Sequence, residues 1–279
     1  MSYKTILVHL NDENRLAGLL DAAVGLARTT DAHLIGVNVL PPVIVIGGME
    51  GGAGGIVEEH RDAYREQIGR IRKTFEESTR VPGVSAEFRQ LDADYADAGD
   101  ALIEHARCAD LVVVNQAAPD WAYSNMLDLG ERMVLESGRP VLMVPNLHKP
   151  GPLGKRVLVG WNSRREATRA VFDALPILQA ADDVAIVWIN PQNELRTAGD
   201  LPGTEICSTL ARHKVRCESI RTIEPATDVG AALLSTAQSN DADMIVMGCY
   251  GHSRLREFVF GGASRHVLQH MQVPVLLSH

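Results

Sequence analysis

The chain has 279 residues, too many for one ordinary mixed domain and comfortable for two of about 140 each. Its 46% hydrophobic and 22% charged residues exclude a disordered, collagenous or disulfide-scaffold chain. A net charge of -8 disfavours general binding to nucleic acid or an acidic membrane, and no stretch reaches the roughly 18 uninterrupted apolar residues of a membrane helix.

The charge is uneven. Residues 1–148 carry 13 Lys+Arg against 22 Asp+Glu, whereas residues 149–279 carry 14 against 13, so the second half is the better host for a small anion. The four cysteines, Cys108, Cys207, Cys217 and Cys249, form no Cys-x-x-Cys pair. With no readable export signal at the start, the expected setting is a reducing cytoplasm.

In chain order the first strong signal is Lys4-Thr-Ile-Leu-Val-His-Leu-Asn11, which returns in the second half as Lys155-Arg-Val-Leu-Val-Gly-Trp-Asn162. Asp110-Leu-Val-Val-Val-Asn115 returns as Asp243-Met-Ile-Val-Met-Gly248, and Arg139-Pro-Val-Leu-Met-Val144 returns as Val273-Pro-Val-Leu-Leu-Ser278, both at a shorter spacing than the first match. The chain is therefore a duplication, with domains at 1–148 and 154–279 and a Pro/Gly-rich linker between them. The stretch missing from the second copy corresponds mostly to the Gly-rich run and longer helix after the second strand of the first copy.

In the first copy, strands are expected near 5–10, 33–40, 84–91, 111–115 and 141–144. In the second they are expected at 156–161, 183–189, 216–223, 244–248 and 275–277, with helices at about 164–180, 204–213, 228–238 and 264–271. Short Val/Ile/Leu-rich runs alternating with amphipathic stretches predict an α/β fold of two five-stranded, Rossmann-like parallel-sheet domains. In such sheets ligand lies beyond the carboxyl ends of the strands flanking the topological switch, here strands one and four. The fifth strands are sheet edges in this scheme, and the expectation is that they pair with each other, with a second chain free to add as a homodimer.

After the fourth strand of the second copy comes Met247-Gly248-Cys249-Tyr250-Gly251-His252-Ser253-Arg254-Leu255-Arg256, leading to Gly261-Gly262-Ala263-Ser264-Arg265. Gly248 and Gly251 let backbone pass close to a ligand, and Gly261, Gly262 and Ala263 open a helix whose free amides favour an anion. Ser264 is positioned to cap that helix or to donate to phosphate. Arg254, Arg256 and Arg265 leave the loop locally positive, as suits a polyphosphate.

The spacing Gly248-x2-Gly251-x9-Gly261, followed closely by Ser264, resembles the nucleotide-binding motif of the universal stress protein family. Val157-Leu-Val-Gly-Trp-Asn-Ser163 and the terminal Val273-Pro-Val-Leu-Leu-Ser-His279 support the likeness, which spans the chain as two copies and is greatest to tandem bacterial members. The resemblance implies ATP or a related adenine nucleotide, with or without Mg²⁺, in the second domain of a stress-response sensor or binding module. It implies that Gly248 approaches the ribose and that Gly251, Gly261, Gly262 and Ser264 contact the phosphates, with Met247, His252, Arg254 and Ala263 also among the nucleotide-binding residues. Ile189 would offer backbone groups to adenine, and Asn162 and Ser163 would follow the first strand. Asn162 stands where nucleotide-binding members often carry Asp and brings no charge to a metal; Gly262 stands where Ser or Thr is usual.

The first copy has Asn115 and Ala118 at the positions of Gly248 and Gly251, and Asp120 and Asp128 would repel phosphate. That domain is expected not to bind ATP; Trp121 and Tyr123 are potential walls for another ligand. Other functions carried forward are a slow ATPase or phosphotransferase using the same loop, and a scaffold without nucleotide. Gly251-His-Ser-Arg-Leu255 fails as a hydrolase elbow because Leu255 replaces the second glycine. Gly47–Gly55 lacks the Lys-Ser/Thr of a phosphate loop and reads as a surface loop. His266 and His270 at i, i+4, near His252, read as surface-helix histidines more than a zinc site, and Cys249 as a small residue tolerated for space more than an oxidant sensor.

Overall fold

In the computed structural model, the described residues are 2–40, 53–80, 84–92, 98–117, 129–189, 203–222, 228–249 and 262–279. The first half contributes strands β1 (Thr5–His9), β2 (His33–Leu40), β3 (Ala86–Asp92), β4 (Leu111–Asn115) and β5 (Val141–Val144). Between them run helices α1 (Leu16–Thr30), α2 (Ala53–Thr79), α3 (Ala98–Ala106) and α4 (Leu129–Glu136). The second half has β6 (Arg156–Gly160), α5 (Arg165–Asp173), α6 (Leu175–Ala180), β7 (Asp183–Ile189), α7 (Thr204–Arg212), β8 (Cys217–Thr222), α8 (Val229–Ser239), β9 (Met244–Gly248), α9 (Gly262–His270) and β10 (Val275–Ser278).

The observed strands closely follow the expected ranges. One expected helix, 164–180, is instead α5 and α6. Pro176 lacks the amide a continuous helix needs and stands in the first turn of α6, so the ladder restarts at Leu175. The shortfall of the second copy shows in the helix after its second strand, where α2 runs 27 residues and α7 runs 9. Gly54 and Gly55, expected in a surface loop, lie in the first turn of α2.

Two five-stranded sheets with their fifth strands paired are expected, and that pairing makes one ten-stranded sheet, ordered β3-β2-β1-β4-β5-β10-β9-β6-β7-β8. All neighbours are parallel except β5 and β10, which pair antiparallel with Val275 opposite Met143, Leu276 opposite Leu142 and Leu277 opposite Val141. Each is an edge within its own copy, and both are buried throughout, so unpaired backbone there would be costly. The true edges, β3 and β8, carry charged residues such as Glu87, Arg89 and Glu218, which discourage further pairing.

Both helical layers are continuous across the seam. One core joins Ile6, Val8, Leu19, Leu142, Val157, Val171 and Leu276; the other joins Leu7, Val112, Met133, Leu158, Val267 and Leu277. Polar bridges follow the same line: Tyr3 donates to the Asp173 carbonyl at 2.6 Å, Arg169 to the Gly138 carbonyl at 3.2 Å, and Gln116 to the Leu268 carbonyl at 2.7 Å. The linker is docked too. The Gly151 amide donates to Asp21, and a Cβ on Gly18 would stand 2.6 Å from the His148 carbonyl oxygen, so only glycine lets this backbone lie on α1. The repeat survives in a shared device: Asp110 accepts the Lys4 and Thr5 amides entering β1, as Asp243 accepts the Lys155 and Arg156 amides entering β6.

His9, at the end of β1, is buried, and burial followed by the nearby Arg15 charge pushes its imidazole down to about 4. An unfolded histidine titrates near 6.5, so between that pH and about 4 the unfolded chain binds a proton the folded chain refuses. Acidification through this window is predicted to cost roughly 3 kcal/mol more in the wild type than in His9→Leu, read from urea titrations at pH 7 and pH 4. Because the core crosses the seam, the intensity of Trp fluorescence and far-UV circular dichroism are predicted to report one coincident unfolding transition. Leu276→Asp, which buries a charge at a fully covered position, is predicted to shift both probes together; separate transitions would show that the halves fold independently.

Candidate functional site

In the second half, sheet order reverses between β9 and β6, and the crevice beyond their carboxyl ends is the expected ligand position. β6 ends at Gly160, and the chain turns through Trp161, Asn162 and Ser163 into α5. The Asn162 side-chain oxygen accepts the Arg164 amide at 3.1 Å, closing this turn, and Ser163 adopts the left-handed region at φ 59°. Arg165, largely exposed, lies 3.1 Å from the Glu166 carboxylate, whose side chain is nearly covered. Arg164 and Arg165 thus stand at the amino end of α5, on the same edge of the sheet as the end of β9.

Gly248 ends β9, and the direction a Cβ would take is filled by backbone: 2.4 Å to the Ala167 nitrogen and 2.4 Å to the Glu166 carbonyl carbon. The first turn of α5 lies directly on the strand end, which only glycine permits. Met247 is buried in the core, and Ile189 closes β7 half-buried, opposite Thr222 of β8. Gly251, His252, Arg254 and Gly261 lie outside the described residues.

α9 opens at Gly262, slightly earlier than expected. Gly262 is exposed, and a Cβ there would meet nothing within 4 Å among the described residues. Ala263 is half-buried, and Ser264 is buried within the first turn of α9, inside the helix instead of at its cap, which leaves the phosphate-donor alternative for it. Sequence reasoning missed the packing of α8 against this helix start, where a Cβ on Gly230 would lie 2.7 Å from the Ala263 carbonyl oxygen. Asp228 caps α8 by accepting the Gly230 and Ala231 amides and also lies 2.6 Å from His266 Nδ1. The amino termini of α8 and α9, each the positive end of a helix dipole, therefore meet at this edge.

The first half presents different chemistry at its switch between β1 and β4. Asn115 occupies the place of Gly248, and both polar atoms of its amide are buried without a partner among the described residues, as is the Asn11 side-chain oxygen. Arg15 occupies the place of Glu166 and is spent on Asp12, on the Gln116 carbonyl and on Asn146. Gln116 also accepts the Asn146 amide and donates to the last turn of α9, so this corner joins the two halves. Trp121 and Tyr123 lie outside the described residues. A groove of about 450 Å³, lined by Arg156, Asp183, Arg216 and Glu218 among others, lies at the amino ends of β6–β8, away from the switch.

Cys249 is buried, and its amide and carbonyl are held by Ser278 and His279, which withdraws it from oxidants. Cys207 and Cys217 lie together, and burial pushes both thiols up, Cys207 to about 12, so neither is a ready nucleophile. Among the described residues no three or more His, Cys, Asp or Glu side chains converge as a metal cluster, and no helix is long and apolar enough to cross a membrane.

Comparison with known proteins bears on the second half most directly. Residues 154–279 match the model of the universal stress protein family. No curated protein matches the chain. Among solved structures, a universal stress protein from Archaeoglobus fulgidus DSM 4304 aligns over 98% of this chain and 95% of its own, at 14% identity and TM-score 0.70. A protein of unknown function from Pseudomonas aeruginosa PAO1 aligns over 99% of this chain and 92% of its own, at 19% identity and TM-score 0.61. A shorter universal stress protein from Archaeoglobus fulgidus, solved in complex with dAMP, aligns over 51% of this chain and 98% of its own, at 20% identity and TM-score 0.31. Residues 154–279 thus match the universal stress protein family model, in a chain whose whole fold is similar to that of the larger Archaeoglobus fulgidus protein.

Proposed function

We propose that the chain is a tandem universal stress protein whose second domain binds ATP or a related adenine nucleotide at the β6–β9 switch and acts as a sensor or binding module. The observation that carries this reading is the start of α9. Gly262 is exposed, with no described residue within 4 Å of the place of a Cβ, in the first turn of the helix that follows β9, and a phosphate placed there meets first-turn amides and the positive end of the helix dipole. Arg164 and Arg165 add positive charge on the same edge. With the Asn162 oxygen committed to the Arg164 amide, that side chain is a poor metal ligand, so Mg²⁺ would be held chiefly by the phosphates. In the first domain, Asn115 and the Asp12–Arg15 pair replace these features, and it serves as the structural partner.

Gly262→Asp separates binding from folding. A carboxylate in the first turn of α9 complements the helix dipole, so thermal stability is predicted to hold or rise by about 0.5 kcal/mol. The same charge repels phosphate, and ATP affinity measured by isothermal titration is predicted to fall more than tenfold. Unchanged ATP affinity in this variant would remove the helix start from the site.

A further inference from the structure

We propose that Cys207 and Cys217 are a redox-responsive pair that closes a disulfide between α7 and β8 when a small peroxide is the oxidant. Ten residues apart, they escape a Cys-x-x-Cys reading, but the fold brings helix and strand together. The Cys217 thiol donates to the Cys207 carbonyl oxygen at 3.7 Å, and the two thiols hydrogen-bond each other. Packing on either side holds them there. Gly203, at φ 88°, sets the start of α7 against β8, where a Cβ would stand 2.8 Å from Ser219 Oγ. Beyond the helix the Val215 amide donates to the Leu210 carbonyl at 3.1 Å, and Ile206, Leu210 and Val215 are buried in the core.

Sulfurs in hydrogen-bond contact are already the neighbours that a disulfide joins. Both residues are half-buried, within reach of a small peroxide, whereas Cys249 is buried and Cys108 lies in the other half of the chain. The hydrogen bond from Cys207 favours the Cys217 thiolate, so Cys217 reacts first. Its sulfur attacks one peroxide oxygen, giving a sulfenic acid and releasing hydroxide. The Cys207 sulfur then displaces the sulfenic hydroxyl, which leaves as water with the Cys207 proton. Two thiols become one disulfide, and one peroxide becomes two waters. Burial holds both thiols protonated at neutral pH, so the reaction is slow there and quickens as pH rises. The pair belongs to the second copy alone: Leu34 faces Ala86 where Val184 faces Cys217, and neither α2 nor β3 contains a cysteine.

The test uses the full chain carrying Cys108→Ser, which removes the exposed thiol and leaves three cysteines. After hydrogen peroxide at pH 8.5 and alkylation of the denatured chain, one free thiol is expected, with a proteolytic peptide linking Cys207 to Cys217 and recovery of all three thiols in dithiothreitol. The rate of closure is expected to be at least about tenfold higher at pH 8.5 than at pH 7, as the thiolate fraction rises. Adding Cys207→Ser is expected to abolish the linked peptide and leave a sulfenic acid at Cys217 that dimedone traps. Three free thiols after peroxide, a link from either residue to Cys249, or oxidation of Cys217 to sulfinic acid without the linked peptide overturns the pair.

Discussion

The antiparallel seam between β5 and β10 is the interaction on which the rest of the molecule depends. A five-stranded parallel sheet ending in a short apolar strand leaves a row of backbone donors and acceptors beside buried side chains, and that edge must be covered. Here each copy covers the other. The seam puts Leu142 and Leu276 at the centre of a ten-stranded sheet, makes the cores on both faces common to the two halves, and moves the exposed edges out to β3 and β8, where charges stand. The halves are consequently not free to move as independent beads on a linker. The linker itself is laid down on α1, and Tyr3, Arg169 and Gln116 reach from one half to backbone carbonyls of the other.

Within this shared frame the two switch points have diverged at matched positions. Gly248 allows the first turn of α5 to rest on β9, which brings the amino ends of α5, α8 and α9 to one edge. Asn115 puts an amide where that backbone would lie, and Arg15 turns inward to Asp12 and to the joint with Asn146. A duplication that keeps the sheet but exchanges glycine for asparagine at one switch point leaves one half suited to an anion and the other suited to joining. A comparable exchange marks the last helix of each copy, where the Arg132–Glu136 pair corresponds to the His266–His270 pair.

Much of this was legible in the sequence because buried parallel strands read as continuous runs such as Val112-Val113-Val114 and Ile245-Val246-Met247, and because the runs recur in register. The Asp110 and Asp243 anchors recur with them, although their task of receiving two strand amides needs coordinates. What escaped the sequence depends on distant contacts. Gly248 reads as a ligand glycine, and its service to α5 packing becomes visible only when Glu166 and Ala167 are placed beside it. Asp228 and His266 belong to different helices, with a whole strand between them in the chain, and no local pattern joins them. The pairing of the fifth strands was legible in their short apolar runs at the sheet edges, although its antiparallel register needs coordinates. The break at Leu175 was there to be read in Pro176, but the apolar periodicity on either side concealed it.

Asymmetry is the central claim: one nucleotide site per chain, in the second half, on a sheet that both halves share. The most direct measurement is the number of ATP molecules bound per chain, by equilibrium dialysis of labelled ATP against nucleotide-stripped protein. One is the predicted value. Two would mean that the Asn115 corner accepts a polyphosphate after all, and none would contradict the assignment of the β6–β9 switch as a nucleotide site.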